Sequence, residues 1–195
     1  METQLGDDRQ RIAVAVEPSV RRMHAGQMEG AVLETLPSTL IDWKTWRTRH
    51  PETTVLAMSR TAREFVKAFQ EDSSRFVLGL RSSENEAKAY SFKELKATPV
   101  VHDTFAGDPV LLVYDHNATG GRAFIRRVGK DTLTFKRSAK GVLIDAKTNS
   151  EWDTLGRCVQ GKLQGRQLTE IPAIVSFRTA WYAFYPKSLT YKPSR

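Results

Sequence analysis

Val100-Val101-His102-Asp103-Thr104-Phe105-Ala106-Gly107-Asp108-Pro109-Val110-Leu111-Leu112-Val113 decides how this chain is read. Two runs rich in β-branched and large apolar residues flank one short segment carrying glycine and aspartate. Such side chains suit extended, half-buried backbone, and Gly107-Asp108 supplies a tight reversal. The stretch therefore predicts adjacent strands from 99 to 105 and from 110 to 116. The same grammar runs outward in both directions. Upstream, Phe76-Val77-Leu78-Gly79-Leu80 reads as a strand, Ser82 to Glu86 as a turn, and Ala87 to Phe92 as a returning strand. Downstream, Thr119-Gly120-Gly121 is a turn, and Ala123 to Val128 and Thr132 to Phe135 flank the compact hairpin signal Gly129-Lys130-Asp131. Val142-Leu143-Ile144 and Trp152 to Val159 continue the series. Short strands at regular spacing predict a mainly β fold with short helices, an antiparallel meander, sandwich or open barrel, from about Arg75 to Lys192.

The first 74 residues are patterned differently. Short strands are predicted within 11–17, from Ala31 to Leu36 (closed by Pro37), and at Val55 to Met58. Trp43 and Trp46, spaced i, i+3, mark a short helix near 40–50 that Thr39 or Asp42 can cap and Pro51 stops. Phe65, Val66 and Phe69 give residues 61–70 an amphipathic helical face, and a third helix is predicted near 176–185. Gly26, Gly30, Leu33, Pro37, Trp46 and Pro51 recur, at one constant spacing, as Gly161, Gly165, Leu168, Pro172, Trp181 and Pro186. Each copy makes mechanical sense as glycine turn, strand, proline stop, Trp-anchored helix and proline stop. Trp46, Pro51, Trp181 and Pro186 are its anchors, so residues 1–74 read as the tail of a preceding copy and 75–195 as the β-rich domain.

Bulk properties narrow the chemistry. The 195 residues are 40% hydrophobic and 27% charged, enough to form a core and too charged for a membrane span of about 20 apolar residues. Met1 to Asp8 is acidic and polar, so no signal peptide is read there. A single cysteine, Cys158, rules out an intramolecular disulfide or a Cys-x-x-Cys pair and reads as a small buried hydrophobe. Of the ionic residues, 15 basic and 17 acidic precede position 120, whereas 15 basic and 5 acidic follow it, so the net charge of +8 divides into −2 and +10.

Two constellations carry candidate chemistry. Arg122, Arg126, Arg127, Lys130, Lys136, Arg137 and Lys140 line one predicted hairpin, interleaved with Phe124 and Phe135. Cations with aromatics suit single-stranded nucleic acid or another polyanion, through phosphate neutralisation and stacking. The competing reading packs both phenylalanines in the core and leaves the cations as a solvated face. His102 with Asp103, and Asp115 with His116, sit on the paired strands, and neighbouring placement of 102 and 115 would assemble a metal or acid–base site from His102, Asp115 and His116. The competing reading makes these strand-end polar groups that cap loops. His24 and His50 are remote in sequence, with His50 at a helix end. No phosphate loop, nucleophile elbow, zinc-protease or dinucleotide motif is present, and no cofactor is implied.

Val77-Leu78-Gly79-Leu80, Ala87-Lys88-Ala89-Tyr90, the turn from Asp103 to Val110, Leu133-Thr134-Phe135, Ser150-Glu151-Trp152, Gly161 to Gly165 and Ala180-Trp181-Tyr182-Ala183-Phe184-Tyr185-Pro186 together resemble a bacterial family, domain of unknown function thirty-one seventy-nine. The resemblance runs from about Met23 and implies a fold, a tandem-copy habit and an envelope or extracytoplasmic setting, but no catalytic residues. Where the better-known copies carry Cys-Pro-Leu-Cys, this chain reads Tyr114-Asp115-His116-Asn117, as in the second, cysteine-free type of copy. The leading expectation is a non-enzymatic binding or structural module of a bacterial envelope or larger assembly, with another protein as partner. The alternatives are a polyanion binder using the basic hairpin and a metal-dependent enzyme using His102, Asp115 and His116.

Overall fold

A computed structural model describes residues 43–54, 71–82, 86–115, 120–139 and 141–193. The strands expected within 11–17, 31–36 and 55–58, the helix at 61–70, the Gly26 to Pro37 half of the repeat, and His24, His116 and Lys140 lie outside the described residues.

Alternation of side-chain size builds the layers. In β1 (Phe76–Arg81), Phe76, Leu78 and Leu80 occupy one face and Val77 and Gly79 the other. β1 is flanked antiparallel by β2 (Ala87–Ser91) and by β13 (Ala173–Phe177), and β14 (Leu189–Thr190) adds in parallel to β2. A second sheet is a continuous antiparallel run of β3 (Val100–Phe105), β4 (Asp108–Asp115) and β5 (Gly120–Ile125), with β12 (Thr169–Ile171) on its far edge. A third joins β8 (Phe135–Arg137), β9 (Leu143–Asp145), β10 (Glu151–Trp152) and β11 (Cys158–Gln160). A two-stranded ribbon, β6 (Arg127–Val128) with β7 (Asp131–Thr132), turns at Gly129-Lys130. The fold is thus mainly β and antiparallel, and among the described residues no sheet closes into a barrel.

The β3–β4–β5 sheet is central. Val110, Leu112, Tyr114 and Ala123 face Phe76, Leu78 and Leu80 of β1 together with Phe92 and Leu95. Leu111, Val113 and Phe124 face the other way, onto Phe135, Leu143, Trp152 and Cys158 of the third sheet. This two-sided burial explains why Val110-Leu111-Leu112-Val113-Tyr114 is a nearly continuous apolar run and not an alternating one. The approach is close at Gly121, where a Cβ would lie 3.0 Å from Leu78 Cδ2. The chain crosses between the first two sheets at Pro172, which separates β12 from β13 and has no N–H to leave unpaired at that corner.

Three expectations are corrected. Gly120 and Gly121 are not part of a turn but open β5, paired with Asp115 and Tyr114. Ala87 to Phe92 is not one strand: β2 ends at Ser91 and α2 (Phe92–Ala97) follows, because Ser91 accepts from the Lys93 and Glu94 amides as an N-cap. The β3–β4 turn lies at Ala106-Gly107, both with positive φ (49° and 79°), one residue before the expected Gly107-Asp108.

The outer face of β1 is closed by α3 (Arg178–Phe184), the helix expected near 176–185. Trp181 is 1% exposed and lies directly on Gly79, where a Cβ would come within 2.1 Å of its ring. Val77, Ala87 and Ala89 complete the seat, small side chains that leave room for an indole. The indole N–H donates to Ser188 Oγ at 2.8 Å, and Tyr185 packs against the ring at 4.5 Å. Pro186 follows the helix end, and Ser188 N donates to Tyr185 O at 2.9 Å. α1 (Trp43–Arg49), the helix expected near 40–50, holds a half-buried Trp46 and is followed by an exposed Pro51.

If Gly79 exists to admit the Trp181 indole, Gly79→Ala is expected to cost about 3 kcal/mol, the upper part of the overpacking range. Trp181→Ala is expected to cost about 3–5 kcal/mol. In urea unfolding the double variant should be clearly less destabilised than the two losses added, since the methyl then occupies space the indole vacated. Strict additivity would mean the two residues do not share one space.

Candidate functional site

The basic hairpin resolves into separate, mostly committed cations. Antiparallel pairing puts Arg122 on the same face of β5 as the buried Phe124. Its guanidinium meets Glu170 of β12, Nη1 lying 2.8 and 2.9 Å from the two carboxylate oxygens. Arg126 Nη1 donates to Leu133 O at 3.0 Å, and Arg137 donates to Tyr114 O and to Gly141 O. Arg127 stands in an exposed pair with Asp108 at 3.4 Å. Lys130 and Lys136 are exposed. Phe124 and Phe135 are both core residues, so neither offers a ring to a nucleobase. The structure therefore does not gather the six cations into one face; four of them tie strands and sheets together.

Nor does the β3–β4 register bring His102 to Asp115. His102 opposes Leu111, and Asp115 opposes Gly120 four residues further along β4, about 13 Å away at 3.3–3.4 Å per residue. Asp115 Oδ2 instead accepts from Thr154 Oγ1 at 2.9 Å. His102 Nε2 accepts the Phe135 backbone N–H at 2.9 Å, and the two rings lie parallel at 6.4 Å. The imidazole thus bridges the central sheet to the edge of the third. Burial, and secondarily the nearby Arg126 guanidinium, holds its pKa below the usual histidine range. Among the described residues no group of three His, Cys, Asp or Glu side chains is placed to hold a metal ion.

The densest polar cluster was not singled out by the sequence motifs. Asp145, fully buried at the end of β9, accepts from the backbone N–H groups of Lys147, Thr148 and Ser150, from Thr148 Oγ1 at 2.7 Å and from Trp152 Nε1 at 3.1 Å. Burial alone pushes this carboxyl up, but the donors on Thr148, Trp152 and Ser150 together hold it below the usual carboxylate range. The Ser150 hydroxyl contacts Thr148 Oγ1 and accepts the Leu163 N–H, fastening the 145–152 loop to the turn between Gly161 and Gly165. Gly161 is required there: a Cβ would lie 2.8 Å from Ser150 Cα. Cys158 is buried alongside, and burial pushes its thiol up, away from the thiolate a nucleophile needs. The available signal was the run Asp145-Ala146-Lys147-Thr148-Asn149-Ser150 after a strand, dense in residues that bond their own backbone. A second cluster sits at the seam of the first two sheets. Tyr90 Oη donates to Asp103 Oδ2 at 3.0 Å, Lys88 Nζ reaches the same oxygen at 2.6 Å, and Tyr191 stacks on Tyr90 at 5.3 Å. Burial, then the Asp103 carboxylate, pushes the Tyr90 phenol far up, so it stays a donor.

These assignments make the acid response of the fold readable. Only neutral His102 can accept from Phe135, and its folded pKa lies below the unfolded value of 6.5. Its stabilising contribution is therefore complete above 6.5 and is lost as pH falls through the folded pKa. Urea unfolding between about pH 7.5 and pH 5 should show this loss in the wild type. His102→Ala should be less stable at pH 7.5 by about 1–3 kcal/mol, the cost of orphaning the Phe135 N–H, and should have a flatter acid slope. Equal slopes would remove His102 as the bridging acceptor. Asp145 has a depressed folded pKa, so its contribution is present above its unfolded 3.8 and is lost only below that, outside this window.

Comparison with curated proteins and with solved structures finds no match. A family model described as "Protein of unknown function (DUF3179)" matches residues 70–188. The match takes in the three large sheets apart from β14, together with α2 and α3, and on that extent the chain belongs to this family.

Proposed function

We propose that the chain is a non-enzymatic binding or structural module that works as part of a larger protein assembly. The observation that carries this reading is where its reactive side chains go. His102, Asp103, Asp115, Asp145, Arg122, Arg126 and Arg137 each bond to a neighbouring strand, loop or sheet, which commits these side chains to holding the fold together. The periphery, by contrast, carries large apolar side chains. Phe184 at the end of α3 is 63% exposed and Leu189, on the short edge strand that follows, is 64% exposed. Among the described residues, side chains committed to holding the fold together beside protruding apolar ones suit contact with another macromolecule better than turnover of a small substrate.

The test is cross-linking in the native source followed by isolation of the complex. The chain is expected in a defined complex that Phe184→Glu with Leu189→Glu disperses while the melting temperature stays within a few degrees of wild type. Substrate turnover that depends on His102 would overturn the reading. A polyanion partner predicts a different result, because among the described hairpin cations Lys130 and Lys136 are exposed and take no part in the bonds above. Retention on heparin at about 50 mM salt, abolished by Lys130→Glu with Lys136→Glu, would replace the protein partner with a polyanion.

A further inference from the structure

A lysine and an aspartate occupy positions that the strand period assigns to the core. Side chains two apart on a strand share a face. Lys88 therefore lies on the same face of β2 as Tyr90, and Asp103 on the same face of β3 as Val101. Tyr90 and Val101 belong to the apolar layer between the first sheet and the central one. The opposite face of β2, with Ala87 and Ala89, carries Trp181. Lys88 is flanked across the ladder by Leu80 and Leu189, and Asp103 by Val110. The two side chains are only 15% and 18% exposed, low for residue types that are seldom buried unless paired.

The contact between them is close and oriented. Lys88 Nζ lies 2.6 Å from Asp103 Oδ2. At ordinary hydrogen-bond angles a nitrogen so placed stands about 3–3.5 Å from the carboxyl carbon, the separation of a near-attack arrangement. Each carboxylate oxygen also has a further donor of its own, Thr104 N–H to Oδ1 at 2.8 Å and Tyr90 Oη to Oδ2 at 3.0 Å. Attack of an amine on a carboxyl group uses two such donors, one at the oxygen that gains charge and one at the oxygen that leaves. Tyr90 is fully buried, Tyr191 stacks on its ring at 5.3 Å, and Lys88 Nζ stands 5.8 Å from the ring centroid. Aromatic surface thus shelters the pair from bulk water, which protects a product amide from hydrolysis.

We propose that Lys88 and Asp103 are a self-modification site, joining in an intramolecular amide that ties β2 of the first sheet to β3 of the central sheet. The ion pair supplies every atom. A proton passes from the Lys88 ammonium to Asp103 Oδ2, leaving a neutral amine beside a neutral carboxyl group. The nitrogen lone pair adds to Cγ, and Oδ1 takes up the charge against Thr104 N–H. The Cγ–Oδ2 bond then breaks. Oδ2 departs as water, with the proton it already received and a second one from the nitrogen, relayed by the Tyr90 hydroxyl. Ammonium plus carboxylate becomes amide plus one water, so no oxidant and no co-reactant is needed. Between free molecules in water this condensation is disfavoured, and fixed geometry offsets that with an effective concentration of about 10⁵–10⁸ M. The reaction is a single event of the chain on itself, so it goes beyond the assembly role proposed above and does not depend on it. A chain with one cysteine cannot join its own strands by a disulfide, and this amide provides a covalent tie by other means.

Intact-mass spectrometry of the purified full chain tests this. After incubation of the folded protein, the wild type should be lighter than its sequence by one water, about 18 Da. Trypsin should leave Lys88 uncut and release residues 82–93 joined to residues 97–122. Lys88→Arg keeps a cation opposite Asp103 but supplies no amine, and should stay at its own sequence mass, as should Asp103→Ala. The wild-type reading decides the matter even if a variant fails to fold. A folded wild type that stays at its sequence mass holds an ion pair only and overturns the proposal, as does a loss of water that Lys88→Arg shares.

Discussion

The constraint from which the rest of the architecture follows is that β4 must be dry on both faces. From Val110 to Tyr114 every residue is buried, the even ones against β1 and α2 and the odd ones against the third sheet. Among the described residues no long helix lies on the central sheet, and each of its faces is covered by another sheet. That choice has an electrostatic consequence. Residues at the margins of the central sheet, such as His102, Asp103, Asp115 and Arg122, lie near seams where water is scarce, and an unpaired polar group there costs about 1–3 kcal/mol. Each is therefore matched: His102 to Phe135, Asp103 to Tyr90 and Lys88, and Asp115 to Thr154 across a seam, and Arg122 to Glu170 on the neighbouring strand of its own sheet. The side chains that look most like chemistry in the sequence are the ones the layered packing must neutralise.

The third sheet meets the same demand differently. Its strands are two or three residues long, too short to rely on ladder bonds alone, and a buried carboxylate organises the loop between them. Three backbone amides, a hydroxyl and an indole converge on Asp145, which offsets the desolvation of a charge that would otherwise be expelled. The same anchorage reaches, through Ser150, the turn at Gly161. β10 and β11 pair with a register shift that leaves Trp152 opposite Cys158, both facing the core, and pushes Val159 out to 45% exposure. A polar loop thus holds the apolar face of this sheet against the central one.

How much of this was legible follows from what sequence patterns encode. β1 to β5 were largely readable because β-branched and large apolar residues concentrate there, and the proline ends of α1 and α3 because proline can neither donate nor continue a helix, whereas β13 and β14 were not read as strands and β12 only as the strand of the repeat. α2 was hidden because Ala87 to Phe92 keeps alternating past its true end, although Ser91 and Glu94 form the spacing of a helix start. The β3–β4 turn was placed one residue late because Ala106 adopts a positive φ that a residue with a Cβ seldom takes, so Gly107 was read as its first position. Pairing was less legible still. Net charge survives in composition, but the 2.8 Å between Arg122 and Glu170 spans 48 residues of chain and depends on β12 returning to the edge of β5. Asp145 escaped notice because one aspartate among turn-forming residues looks like any surface loop until Trp152 and Ser150 fold over it.

Where a domain spends its polar groups internally, its capacity for specific contact moves to features that packing leaves over. Trp181 illustrates the currency of such contacts here. An indole seated on glycine gains the burial of a large ring and keeps its N–H satisfied by Ser188, a hydroxyl seven residues further along the same segment. Because the donor's partner lies on the helix's own segment, the sheet beneath has to supply only shape, a strand without a Cβ at one position and alanines beside it. Such a site asks for no charge and no catalytic group, and it is specific because few strands tolerate glycine in their interior.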